Sequence, residues 1–73
     1  MDNKAQFVEQ HLSPLLVAAE VGICDAKYHK NAFGYDEVVV VTFDSGTAVP
    51  CNVTWDSKIA IVRDVLKQLR DWL

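Results

Sequence analysis

Seventy-three residues, 51% hydrophobic and 23% charged, predict one folded domain over 1–73: so short a chain buries only ~60% of the surface it exposes when unfolded, too little for two cores. A net charge of −3 argues against a general nucleic-acid binder, which holds phosphates with an excess of Lys and Arg. The only cysteines, Cys24 and Cys51, are too few for a disulfide framework and too far apart for a CxxC knuckle, so no metal or cofactor is expected.

The chain opens with Asn3 to His11, where Ala5, Phe7, Val8 and Leu12 recur near helical spacing and Asp2 or Asn3 can cap the start. Ser13-Pro14 reads as a new N-cap with proline at the first helical position, in preference to a kink in one helix running to Glu20, because the residue before a proline is pushed out of the α region. Leu15, Leu16, Ala18 and Ala19 continue the apolar face, and Gly22 is placed to end it.

From Ile23 the period becomes twofold: Cys24, Ala26 and Tyr28 alternate with Asp25, Lys27 and His29, which predicts a half-buried strand. Asn31 to Asp36 reads as a loop and Glu37 to Phe43 as a second strand. Asp44-Ser45-Gly46 forms the next hairpin turn. A third strand, Thr47 to Val53, contains Pro50, which cannot donate to a ladder and so belongs at a sheet edge. A 1-2-3 antiparallel meander satisfies that requirement. It also sets the strands of Cys24 and Cys51 two spacings, ~9.6 Å, apart; a disulfide cannot span more than ~7 Å, so both thiols should be free.

Thr54, Asp56 or Ser57 caps the final helix, whose apolar residues Ile59, Ile61, Val62, Val65, Leu66, Leu69, Trp72 and Leu73 fall on one broad arc. The expected fold class is therefore α+β: a helix broken or kinked at Pro14, a three-stranded antiparallel meander, and a C-terminal helix, with both helices on one sheet face. Val39, Val41 and Phe43, with Tyr28, Val49, Cys51 and Val53, form the more apolar set and are assigned to the helix side. Val38, Val40, Ala48 and Pro50 are then left on the outer face beside Lys27, His29 and Thr42. An apolar patch ringed by polar groups marks a contact surface, so these seven residues are the candidate interface.

Catalytic motifs fare less well. Asp44-Ser45-Gly46 inside Val41 to Ala48 resembles the D-[ST]-G loop of aspartic proteases, which pair two such aspartates. The family also needs a glycine-bearing element before its C-terminal helix, and Ile59 to Leu66 contains none, so hairpin chemistry explains the triplet better. Ser13 and Ser57 read as caps, and His11 and His29 as solvated histidines, so no enzyme is expected. Arg63, Lys67 and Arg70 share one stripe of the last helix and are the candidate nucleic-acid contact, weighed against a solvated face balanced by Asp64 and Asp71. No basic-then-apolar leader opens the chain, and no apolar run nears the ~20 residues needed to span a bilayer, so a cytoplasmic protein without membrane contact is expected.

The segment from Glu37 to Leu66, with Val38-Val39-Val40-Val41-Thr42-Phe43, Gly46, Val53, Asp56-Ser57 and Ala60 to Leu66, resembles small uncharacterised proteins of Firmicutes mobile elements and phages. It covers under half the chain. The resemblance implies a bacterial cytosolic setting and a host- or phage-directed accessory or inhibitory role, and it transfers no functional residue. Three functions are expected in order: a protein-interaction module that binds a partner or pairs as a homodimer; a nucleic-acid-binding accessory protein; and, distantly, an aspartic-protease-like enzyme.

Overall fold

Val8, Leu12 and Leu16 stand four residues apart, so a single helical rod can turn all three toward one surface, and all three are buried in the core. The computed structural model describes residues 3–19, 22–53 and 57–70. In it the first helix is continuous: α1 (Asn3–Phe7), a π-helical segment (Val8–Leu12) and α2 (Ser13–Ala19). Ser13 is helical, with φ −60° and ψ −51°, and its N–H donates to the Val8 carbonyl five residues back.

The expected new N-cap at Ser13 is thus corrected. The wider turn opens the rod just before Pro14, where an ordinary α-helix would need an N–H that proline lacks and would press the ring against the Gln10 carbonyl. It also takes up part of the angular drift that residues four apart accumulate in an α-helix. The Ser13 hydroxyl caps nothing and accepts the Ala26 N–H at 3.0 Å instead, fastening the helix to the first strand.

The sheet is an antiparallel meander in the order β1-β2-β3, built from β1 (Ile23–Ala32), β2 (Tyr35–Phe43) and β3 (Ala48–Asn52). Pro50 sits on the edge strand, as its missing donor requires. Two details of β1 depart from expectation. The register runs Ile23 to Phe43 and then Asp25 to Thr42, so Cys24 is the extra residue of a β-bulge. The bulge turns Ile23 inward and leaves Cys24 exposed, where simple alternation would have put Cys24 with Ala26 and Tyr28 on the buried side.

The segment from Asn31 to Asp36 is almost all strand. Only Phe33 and Gly34 form the turn, with Ala32 paired to Tyr35. Both turn residues have positive φ, 55° and 79°, as a two-residue hairpin loop that follows the sheet's twist demands. Phe33 is a bulky side chain in a region that costs an L-residue roughly 1–2 kcal/mol.

The second hairpin closes through the Phe43 N–H on the Thr47 carbonyl at 2.8 Å and the Gly46 N–H on the Phe43 carbonyl at 2.9 Å. Helix α3 (Lys58–Leu69) is capped by Ser57, which is extended and whose hydroxyl accepts the Ala60 N–H at 3.1 Å. The alternative caps Thr54 and Asp56 lie outside the described residues, as do Trp72 and Leu73 of the predicted apolar arc.

Both helical elements pack on one sheet face. Val8, Leu12 and Leu16 meet Ile61, Val65 and Leu69 over Ala26, Val39, Val41, Val49, Cys51 and Val53, with Tyr28, Phe43 and Val62 packed at the margin. The fold is α+β, and the face assigned to the helices is the one they cover.

Candidate interaction surfaces

The pairing of the strands brings the seven candidate interface residues onto one face. Lys27, Val40 and Pro50 form one row across the sheet; Thr42 and Ala48 are paired in the next, and His29 and Val38 in a third. Their exposure is not as expected. Val38 is 0% and Val40 8% exposed within the single chain, although neither belongs to the core cluster under the helices. Pro50 and Thr42 are half-buried, leaving only Lys27, His29 and Ala48 open to solvent. The chain itself already withdraws both valines from water, so the expected exposed apolar patch is corrected: what this sheet face shows to solvent is chiefly Lys27, His29 and Ala48.

Nor are the sheet edges open templates at every position. The Gln68 side chain reads the β3 edge as another strand would: its Oε1 accepts the Asn52 N–H and its Nε2 donates to the Asn52 carbonyl, both at 2.9 Å. Nε2 also donates to the Asp64 carbonyl at 3.0 Å, which holds the amide in place on α3. On the β1 edge, the Ala26 N–H is taken by Ser13. Such plugs oppose strand addition by a second chain.

The large apolar side chains that do meet solvent lie elsewhere. On α2 only Leu16 is buried; Pro14, Leu15 (55%), Val17 (44%), Ala18 and Ala19 all face outward, and none carries a charge. On α3, Ile59 and Leu66 are exposed among Arg63, Lys67 and Arg70, so the predicted basic stripe is real as a solvent-facing arrangement but is interleaved with apolar residues. Phe33 and Tyr35 are exposed at the tip of the first hairpin. These outward positions were legible only as arcs on a helical wheel, because the sequence does not say which part of an apolar arc the sheet will cover.

An unforeseen cleft of about 300 Å³ is lined by Gln6, Phe7, Gln10, His11 and Lys58. The His11 ring lies 5.9 Å from the Phe7 ring, and Lys58 Nζ 5.8 Å from its centroid. The π-helical segment supplies Gln10 and His11, so its widened turn shapes one wall.

Glu37 forms the tightest polar cluster: its Oε1 accepts from Lys4 Nζ and from the Tyr28 hydroxyl, each at 2.5 Å. These bonds bind α1, β1 and β2 together, and the Glu37 backbone carbonyl accepts the Val53 N–H at 3.1 Å. Asp44-Ser45-Gly46 lies in an exposed turn, where the Ser45 hydroxyl donates to Thr47 Oγ1 at 3.1 Å. Among the described residues no group of His, Cys, Asp and Glu is arranged to hold a metal ion.

Both cysteines are free, as the strand order requires. Hydrogen bonding to Asp44 raises the exposed Cys24 thiol above its ordinary range, with partial desolvation and the charges of Asp44 and Asp25 adding to it. Burial pushes Cys51 up to about 11. Unfolded, unreduced protein should therefore titrate with two thiols. In the folded state an aromatic disulfide reagent at pH 7.5 should modify Cys24 first and Cys51 only as the chain opens. Asp44→Asn removes the charge that disfavours the thiolate, lowers the Cys24 pKa and should speed its reaction several-fold; an unchanged rate would show that Asp44 does not govern this thiol.

No helix among the described residues is long and apolar enough to cross a membrane. Comparison with protein-family models, curated proteins and solved structures gives no match to this chain.

Proposed function

We propose that the chain is a small protein-binding module, not an enzyme, and that it pairs with a second copy of itself through α2. The outward surface of Ser13–Ala19 carries this reading: every exposed residue on it, from Pro14 to Ala19, is apolar and uncharged. A twofold contact places each residue near its own image, so a face without charge can meet itself at no electrostatic cost, whereas the basic stripe of α3 cannot. A chain of 73 residues with free thiols also has reason to extend its small core across a subunit boundary. This replaces the outer sheet face as the contact. The cytoplasmic setting and the accessory or inhibitory role implied by the segment from Glu37 to Leu66 are part of the proposal and rest on that resemblance.

Light scattering tests it. Wild type should move from monomer to dimer as concentration rises, and Val17→Lys should remain monomeric with an unchanged circular dichroism spectrum. A wild-type monomer up to ~1 mM, a range in which an association of only about −4 kcal/mol is visible, removes self-association.

A further inference from the structure

Helix α3 is the electrostatic exception in an acidic chain. Four of the seven Lys and Arg residues, but only one of the ten carboxylates, lie between Lys58 and Arg70, a segment of +3 in a molecule whose remaining residues sum to −6. The cations are not spent on the sheet. Arg63 is exposed, and its Nε stands 3.8 Å from Asp64, beyond hydrogen-bond reach.

The exposed residues of α3 have a regular order. Ile59, Arg63, Leu66 and Arg70 follow one another at steps of four, three and four, which on a helix makes one nearly straight line, with Lys67 beside it. The line alternates apolar and cationic side chains over the helix length of roughly 18 Å. Its apolar members are conspicuously open: Ile59 is 80% and Leu66 44% exposed, while the opposite side of α3 buries Ile61, Val65 and Leu69. A solvated helix face kept only for solubility has no need of two large aliphatic residues at this spacing.

We infer that this line docks an acidic amphipathic helix belonging to a partner protein. Aliphatic residues of that helix would pack on Ile59 and Leu66, and its Asp and Glu side chains would pair with Arg63, Lys67 and Arg70. Three alternatives fit worse. A second copy through this face would set Arg63, Lys67 and Arg70 against their own images, which is repulsive. A nucleic acid or an anionic bilayer is a polyanion that extends past the stripe and meets the −6 remainder of the molecule. A short acidic helix matches both the length of the stripe and its apolar component.

The inference rests on the protein-binding reading but not on self-association through α2, and the experiment separates the two. The probe is a synthetic 18-residue peptide with leucines at helical spacing and glutamates flanking them, fluorescently labelled. Its controls are a scrambled peptide of the same composition, 20-nucleotide single- and double-stranded DNA, and vesicles containing phosphatidylserine. Anisotropy is measured with the wild type, with the monomer-directed Val17→Lys, and with the pairs Ile59→Ser/Leu66→Ser and Arg63→Glu/Lys67→Glu.

Expected is binding of the patterned peptide at least ~10-fold tighter than the scrambled one, because only the patterned peptide aligns its aliphatic and acidic groups with the line. Each pair of substitutions should weaken it ~10-fold or more, and only the charge pair should flatten the salt dependence. Val17→Lys should bind like wild type. Equal affinity for the scrambled peptide, tighter binding of DNA or vesicles, or no binding of the patterned peptide at 100 μM, a range of weak but measurable affinity, overturns the inference. A dimer that ignores the peptide overturns it while leaving protein binding through α2 intact. A monomer that binds the peptide supports it and removes self-association.

Discussion

Val38→Asp should unfold the chain or bring it close to its unfolding midpoint at 25 °C. The side chain is 0% exposed in the single chain, so the carboxylate would enter a site closed to water. An uncompensated buried charge typically costs about 3–5 kcal/mol. A domain of this size has a total of only about 4–11 kcal/mol, from ~0.05–0.15 kcal/mol per residue. Val40→Asp should cost less, for two reasons visible in the sheet: Val40 is 8% exposed, and Lys27 stands directly opposite it on β1, placed to pair with the new carboxylate. Val38 stands opposite His29 and Asn52 instead, with no lysine across from it. Urea titration followed by far-ultraviolet circular dichroism measures both. A Val38→Asp midpoint within error of the wild type would mean that the outer sheet face is solvated, and would return Val38 and Val40 to the roster of contact residues.

Glu37→Ala should lose about 2–3 kcal/mol. A solvent-exposed ion pair would be worth under ~1 kcal/mol, but this carboxylate is half-buried and accepts from two donors on two different elements. A hydrogen bond to a charged group contributes about 1.5–3 kcal/mol, more than a neutral one. Tyr28→Phe should cost less, about 1 kcal/mol, because it leaves the Lys4 pair in place. The combination of Lys4→Met with Tyr28→Phe should depart from the sum of the single changes, since both donors share the same oxygen. Equilibrium denaturation of the four variants settles it. A loss below ~0.5 kcal/mol for Glu37→Ala, the size of an ordinary surface substitution, would show that the cluster ties nothing together.

The plugged edges and the Glu37 cluster share one property: each joins residues far apart in the chain. Lys4 and Glu37 are separated by 33 positions, Asn52 and Gln68 by 16, and Ser13 and Ala26 by 13. Nothing in the types of Gln68 or Ser13 announces such a role. Ser13 before Pro14 has the local appearance of a cap, and Gln68 that of an ordinary surface residue on a helix. The exposure expected of Val38 and Val40 went astray for the same reason. Alternation correctly put Val38 and Val40 on the face opposite Val39 and Val41, but a residue's face does not determine its exposure.

From the sequence alone followed the elements and their order: periods of two and of 3.6 separate strands from helices, Gly46 and Pro50 mark a turn and an edge, and a cap for α3 stands among Thr54, Asp56 and Ser57. The helix-facing side of the sheet followed as well, because one set of alternating residues is more apolar than the other. Only the tertiary structure decided that the first helix runs through Pro14, that Cys24 bulges out of β1, that the outer valines are withdrawn from water, and that the open apolar residues are those of α2 and α3. Local patterns report the conformation a segment prefers and the side each residue faces. Burial depends on what the rest of the chain brings against that side, and for Val38, at 0% exposure, the rest of the chain had the larger say.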